Sequence, residues 1–286
     1  MRLSCRGITT ADLPVVVDLL CEGFPERTRS YWQGGIERLA AQAPAEGVLM
    51  KDVPHLGSLL VVDGTPVGVL LLIHTAPHAA RSNLSSWYVR PEFCAYASLL
   101  VSRAVKNTET VFVNVSPALH TVPIIVAQGF NQIAAGCFVG VPALAPTRRG
   151  VSVTVVRNGW VPPVGIDAAE ARLLLDHTRF GCLALWLETP DGGHAFVFRR
   201  RRLRLGRVPC AMLIHCPSLE LLERFAGPLG RALAREGLAF LLAGADRPLR
   251  GVPGRHFPAK LPIYAKGVVN SRSADLSYTE AAVFGM

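Results

Sequence analysis

Asn83-Leu-Ser-Ser-Trp-Tyr-Val-Arg-Pro91 opens the stretch that decides the fold, which runs on to Gly129-Phe130. Its aromatic and β-branched residues read as a strand, stopped at Pro91 because proline has no N–H to offer a ladder. Glu92 to Ser98 is a short turn, and Leu99 to Lys106 continues as an amphipathic helix. Val111-Phe-Val-Asn-Val115 is a second, β-branched strand, and Thr121 to Gln128 is a second helix with Gly129 at its end. The order strand, turn, helix, strand, helix carries as much information as the composition. A helix whose N-terminus faces the bend after a strand points free N–H groups and the positive end of its dipole at the turn, which suits an anion.

On the upstream side, residues 2–8 read as a strand. Thr9 or Thr10 caps a helix from Ala11 to Glu22, with Asp12 near its positive end and Pro14 tolerated there. Arg27 to Ala43 places Tyr31, Trp32, Ile36 and Leu39 at helical spacing. Ser58–Val62 and Pro66–Ile73 form a hairpin across Asp63-Gly64, a pair that accepts the positive φ angles of a tight turn. Downstream, Gly136 to Leu144 is expected to complete this first sheet, and Pro142-Ala-Leu-Ala-Pro146 with Arg148-Arg149-Gly150 marks a boundary.

Past that boundary, residues 151–157 read as a strand, and Asp167 caps a helix reaching Arg179. Cys182–Glu188 and His194–Leu203 form a hairpin across Pro190-Asp-Gly-Gly193. Val208–Cys216 is a strand, Leu219–Arg235 a helix, Leu238–Ala243 a strand, and Ser277–Phe284 a closing strand. The second half repeats the strand-turn-helix-strand order of the first. A shift of 128 residues carries Arg103-Ala104 onto Arg231-Ala232 and Phe112 onto Phe240. The expectation is an α/β (α+β) chain of two tandem, diverged copies of one fold, residues 1–146 and 151–286, each a mixed, mostly antiparallel sheet flanked by helices.

Residues 2–145, and above all Val89–Phe130, resemble the GCN5-related N-acetyltransferase superfamily. Its signature runs Val-x-Pro-x-aromatic-Arg-Gly-x-Gly-x-Gly, followed by a helix, a strand and a helix ending in Gly-Phe. Val89, Pro91, Phe93, Gly129 and Phe130 match it. Cys94 stands where the family has arginine or glutamine, and Ala95, Ala97 and Leu99 stand at its glycines. The resemblance implies acetyl-CoA or another acyl-CoA as co-substrate of the N-terminal copy. Its pyrophosphate would lie on the turn Cys94, Ala95, Tyr96, Ala97, Ser98 and Leu99, and its pantetheine arm would pair with the strand around Val89. Ala95, Ala97 and Ser98 are small enough to let an anion approach the backbone, without glycine's freedom at positive φ. Tyr96 would stack on the ligand or shield it. Asn114 and Ser116 would hydrogen-bond the arm or the substrate, unless Asn114 serves only the turn. Cys94 reads as a small buried thiol more readily than as a nucleophile, since no histidine is placed beside it. The second copy has nothing suited to phosphate in Pro217-Ser-Leu-Glu-Leu-Leu-Glu-Arg224 and is expected to be a structural or substrate-shaping half.

Acyl transfer from a thioester to an amine needs a base for the amine proton and an acid for the leaving thiolate. The family's tyrosine acid corresponds here to Ile125, and its asparagine to Ala118. Two other residues come forward. His120 lies just before the second helix and is a candidate base or acid. Tyr264, in Ile263-Tyr-Ala-Lys-Gly267, resembles the missing tyrosine motif but would have to reach in from the second half. The resemblance thus implies an N-acyltransferase acting on a small-molecule or peptide amine. The missing tyrosine and lost glycines favour a non-catalytic acyl-CoA-binding or regulatory protein instead. A third reading is an aminoacyl-tRNA-dependent transferase, as some tandem members of the superfamily are.

Composition bounds these readings. Half of the 286 residues are hydrophobic, enough for a sizeable core, and the formal charge is +9, carried almost wholly by arginine. That charge suits phosphorylated cofactors, nucleic acid or an acidic surface, and it equally fits a GC-rich genome. Nucleic acid rests on charge alone, with no recognition helix, RNA-binding signature or zinc finger. Arg199-Arg-Arg-Arg-Leu-Arg204 is either a charged edge strand or a phosphate-binding surface. Seven scattered cysteines without a Cys-x-x-Cys pair fit reduced thiols in a cytoplasmic protein. Asp63-Gly64 interrupts the apolar stretch Leu56–Ile73, so no membrane span is expected. His74-x-x-x-His78 has a metal-like spacing but spans Pro77 and leaves a strand, His215-Cys216 is likewise unsupported, and no metal is expected.

Overall fold

The computed structural model describes residues 1–41, 56–75, 81–203, 208–267 and 275–285. They gather into two compact units, neither of them one run of sequence. The first holds Met1–Gln132 with residues 263–267 and Tyr278–Phe284, and the second holds Ile133–Pro262 with residues 275–277 and Gly285. The chain therefore divides at residue 132 and again near its end, in contrast to the single cut expected after residue 146.

The first unit starts with β1 (Leu3–Gly7), α1 (Leu13–Gly23), α2 (Arg29–Ala40), β2 (Gly57–Val62), β3 (Thr65–His74) and β4 (Arg81–Val89). α3 (Ala97–Ala104), β5 (Val111–Asn114) and α4 (Val122–Ala127) follow. β1 to β4 are antiparallel neighbours in chain order, and β5 lies parallel to β4. Asp63 and Gly64 make the expected tight turn, at φ 45° and 84°. β2 and most of β3 are buried, which explains the continuous apolar runs Leu59-Leu-Val-Val62 and Val69 to Ile73 where an exposed sheet would alternate. Leu60, Leu70, Leu72, Leu84 and Phe112 meet Leu100, Val101, Ile125 and Phe130 in one core. Burying each such side chain stabilises the fold by about 1.5–3 kcal/mol. At the start of α1, Arg6 grips Asp12 with two hydrogen bonds of 2.6 and 2.7 Å, and Thr9 N–H adds a third. The Arg6 guanidinium holds the Asp12 carboxyl well below the usual carboxylate range.

The second unit continues with β6 (Asn131–Gly140), β7 (Ser152–Val156), α5 (Ala168–Arg179), β8 (Leu183–Thr189), β9 (Gly192–Leu203) and β10 (Val208–His215). Then come α6 (Leu219–Arg224), α7 (Ala226–Arg235), β11 (Phe240–Gly244) and β12 (Gly254–Lys266), whose last residues belong to the first unit, as does α8 (Glu280–Val283), last in the chain. β7 to β10 are antiparallel neighbours in order, β11 lies parallel to β10, and β6 is antiparallel to β11. This is the pattern of the first unit. Ser82 faces Phe112 and Cys210 faces Phe240, so the shift of 128 residues read from sequence superposes the two parallel pairings. Both units are mixed, mostly antiparallel sheets with flanking helices, as expected.

Three sequence readings are corrected. Gly136–Leu144 does not complete the first sheet: β6 pairs with β11, and residues 264–266 of β12 take the place beside β5. β12 escapes a sequence reading because Pro258 and Pro262 punctuate it, and Ala259 and Leu261 bend it at φ 55° each. Ser277–Phe284 is a turn followed by α8, with Thr279 extended in front of the helix, and no strand forms there. Leu219–Arg235 is two helices, broken at Phe225, which leaves helical geometry at φ −116° as its ring is buried. The arginine run lies on an edge: β8 begins opposite Phe198, so among the described residues Arg199 to Leu203 pair with β10 alone. Arg204 and His78 lie outside the described residues. Among the described residues no helix is long and apolar enough to cross a membrane.

Candidate active site where two strands part

β4 and β5 are paired over three residues only, Arg81–Asn83 against Val111–Val113. Past that point β5 ends at Asn114, while β4 runs on beside β3 to Val89. β4 also bulges here: Ser85 lies opposite Leu71 and Tyr88 opposite Val69, with Ser86 and Trp87 between them. Ser86 takes φ 49°, a conformation that costs a non-glycine residue about 1–3 kcal/mol and is kept where it re-aims backbone groups. The bulge and the parting leave a strand edge facing a gap, the arrangement to which an extended ligand adds as a further strand. Gly68 on β3 is required beside it, since a Cβ there would lie 2.8 Å from Val89 Cγ2.

A carboxyl group closes one face of the parting. Along β4, Leu84 faces the core, so Asn83 and Ser85 face the other way. Asn83 Oδ1 accepts the Glu280 N–H at 2.9 Å, while Asn83 Nδ2 donates to Val113 O and Leu84 O at 3.1 Å each. Ser85 Oγ donates to Glu280 Oε2 at 2.6 Å, Ser116 Oγ donates to Oε1, and the N–H of Ser86 also reaches the carboxylate. Burial pushes the Glu280 carboxyl up to about 7, against the pull of the bonds from Ser116, Ser85 and Ser86. The segment carrying it is firmly seated. The Phe284 ring lies 5.5 Å from Trp32 in an edge contact, Arg38 Nε donates to Val283 O at 3.1 Å, and a Cβ on Gly35 would come within 2.0 Å of Phe284.

Tyr264 serves the opposite face. It sits directly across from Asn114 on the strand beside β5. Its ring packs against the core that holds Phe112 and Ile125, and its O–H donates to Gln132 Oε1 at 3.2 Å. Tyr264, which in the sequence would have had to reach in from the second half, belongs to the first unit and packs on the cluster in which Ile125 is fully buried.

The remaining candidates fall as follows. Residues Pro91–Tyr96 wind into a 3-10 helix that runs straight into α3. Phe93 N–H donates to Arg90 O at 2.9 Å and Ala97 N–H to Cys94 O, so part of the donor set expected for pyrophosphate is used inside the turn. Alanine, which lacks glycine's freedom at positive φ, favours this helical path. Cys94, Ala95 and Leu99 are exposed, so Cys94 is not the buried thiol expected; Ala97 and Ser98 are half-buried. Tyr96 and Val89 pack against the core. Asn114 Oδ1 accepts the Ser116 N–H at 3.3 Å, the turn role weighed for it. His120 is exposed in the single turn before α4. Glu280, Ser85 and Ser86 had no place in the sequence reading. The available signal was Ser277-x-x-Glu280, a capping pattern, and one acid in an otherwise apolar tail.

No family model and no curated protein matches the chain. Solved structures do. A Pyrococcus horikoshii protein named as a candidate acetyltransferase aligns with TM-score 0.58 at 12% identity, over 98% of this chain and 95% of its own. A GCN5-related N-acetyltransferase from Anabaena variabilis gives 0.59 at 9% identity, over 93% and 72%. One from Kribbella flavida gives 0.54 at 12%, over 92% and 70%. At such identities what is shared is architecture, and with β4 and β5 parting beside a bulge it is the fold of the GCN5-related N-acetyltransferase superfamily.

Proposed function

We propose that the chain moves an acyl group from an acyl-CoA thioester to an amine, with the first unit as its catalytic half. One observation carries this reading: a bulged strand edge at the parting of β4 and β5, with Tyr264 packed on one face and the Glu280 carboxyl held on the other. The names of the similar structures agree with it. When bound, the thioester supplies an activated acyl group. The edge from Trp87 to Val89 would hold the pantetheine arm through backbone groups, with Asn114 and Ser116 at the end of β5. Tyr264 O–H would give a proton to the departing thiol.

The closed turn at Cys94–Leu99 has a consequence for the co-substrate. With few N–H groups left for pyrophosphate, most affinity would come from the arm. Acetyl-pantetheine is therefore expected to bind within about tenfold of acetyl-CoA, a difference of about 1.4 kcal/mol. A gap of several thousandfold in calorimetry would show that the turn binds phosphate after all. The same turn favours a second reading, an acyl-CoA-binding protein without turnover. Release of free thiol from acetyl-CoA, with and without an amine panel, separates the two: acceptor-dependent release supports the enzyme, and binding without release supports the binder. In the arginine run, Arg200 is paired with Glu236 at 2.8 Å and Arg199 with the carbonyl of Phe180, which does not favour these two as contacts for a tRNA donor. In the second unit, Leu276 N–H donates at 2.7 Å to the carbonyl of Ile214, the bulge residue equivalent to Ser86, which suits a structural role for that copy.

A further inference from the structure

We infer that Ser116 and Glu280 form a proton relay for the incoming amine, which makes the C-terminal segment a working part of the first unit. The inference rests on the acyltransferase reading above. Three groups donate to the Glu280 carboxylate, and they are not equivalent. Ser85 and Ser86 are buried with Glu280, whereas Ser116 is exposed while its Oγ holds Glu280 Oε1. A base must lie within hydrogen-bond reach of the proton it removes, directly or through one intermediary. Ser116 is that intermediary, and Glu280 acts through it as a positioned proton acceptor.

The step balances as follows. The amine nitrogen bonds to the acyl carbon, and the carbon–sulfur bond breaks with its electron pair on sulfur. The nitrogen's proton passes to Ser116 Oγ as the Ser116 proton passes to Glu280 Oε1, and Tyr264 protonates the thiolate. Glu280 later returns its proton to water through Ser116, and Tyr264 takes its proton back from water. The groups touching the carboxylate are two hydroxyls and an N–H. Charged and titratable groups on the surrounding elements are Arg81 and Tyr88 of β4, Arg29, Tyr31, Glu37 and Arg38 of α2, and Asp18, Cys21 and Glu22 of α1. Of these, Asp18 is paired with Arg29, Glu22 with Arg90, and Arg38 is bonded to Val283 O. That leaves the carboxyl poised near neutrality by burial.

The test combines binding, a carboxyl titration and turnover in the full chain. Calorimetry with acetyl-CoA is run first on the wild type, Glu280→Gln, Ser116→Ala and Ser116→Thr; Glu280→Gln is expected to bind like the wild type, and turnover of the Ser116 variants is compared at saturating acetyl-CoA. Carbon-13 NMR of labelled glutamate then follows Glu280, expected to titrate near pH 7 in the wild type and higher in Ser116→Ala, which lacks one donor to the carboxylate. Thiol release with spermidine, lysine and an alanyl tripeptide is expected to fall about 10²–10⁴-fold in Glu280→Gln and Ser116→Ala, to lose its inflection near neutral pH, and to recover largely in Ser116→Thr. Wild-type rate and pH profile in Glu280→Gln, or a Glu280 that stays protonated to about pH 9, overturns the relay. Loss of acetyl-CoA binding in the wild type overturns the acyltransferase reading itself, so the two failures are distinct. The exposed Ser116 keeps the test valid should Glu280→Gln fail to fold.

Discussion

Ile125 is fully buried at the position where the resembling family carries a tyrosine, and Tyr264 packs its ring against the same cluster. The cluster thus receives a phenol from another element. Tyr264→Phe keeps the ring and its packing but removes the proton, so acetyl-CoA affinity should be unchanged while the thiol-release rate falls about 10²-fold. An unaltered rate would remove Tyr264 from the chemistry. Tyr264 was legible in the sequence because Ile263-Tyr-Ala-Lys-Gly267 repeats a local pattern; its placement was not, because nothing local says which strand a segment will pair with. Glu280 was illegible for a related reason. Its burial depends on Ser85 and Ser116, which lie 195 and 164 residues away along the chain.

At the level of elements, α2 and the C-terminal segment depend on each other through a glycine. Gly35 lets the Phe284 ring lie against the helix, where a Cβ would approach to 2.0 Å. Gly35→Val should expel the ring and destabilise the protein by about 1–3 kcal/mol. Its second effect should be faster proteolytic clipping after residue 277, with the Glu280 titration returning toward its ordinary range. A variant as stable and protease-resistant as the wild type would mean that the segment is seated by other contacts. Most of these elements were readable. Thr28 caps α2 and Asp167 caps α5, and the Asp63-Gly64 hairpin forms because its residues accept positive φ. What failed was strand β12, whose prolines speak against a ladder, and the turn after β4. There alanine in place of glycine yielded a 3-10 helix where the family's pattern implied an open anion nest.

For the whole molecule, two buried groups give stability an unusual dependence on pH. The Glu280 carboxyl, raised to about 7 from an ordinary 4.5, binds its proton more tightly when folded. Its contribution is full below about pH 4.5 and is lost as pH rises through 7. His177, lowered by burial to about 4 from 6.5, behaves oppositely: its contribution is full above about pH 6.5 and is lost as pH falls through 4. Between those limits the slopes oppose. Glu280→Gln removes one of them, so its stability relative to the wild type should grow steadily from pH 4.5 to 7 in denaturant titrations. A constant difference would show that Glu280 is ionised as readily folded as unfolded. The two-copy architecture was itself legible, because the shift of 128 residues that aligns Phe112 with Phe240 also aligns the observed strand pairings. The account stands or falls on whether the parting of β4 and β5 holds an acyl-CoA. Thermal unfolding with increasing acetyl-CoA tests it most directly. Stabilisation should grow with concentration, reaching about 2.7 kcal/mol at a hundredfold excess over Kd; no stabilisation by acetyl-CoA, longer acyl-CoAs or free CoA would contradict it.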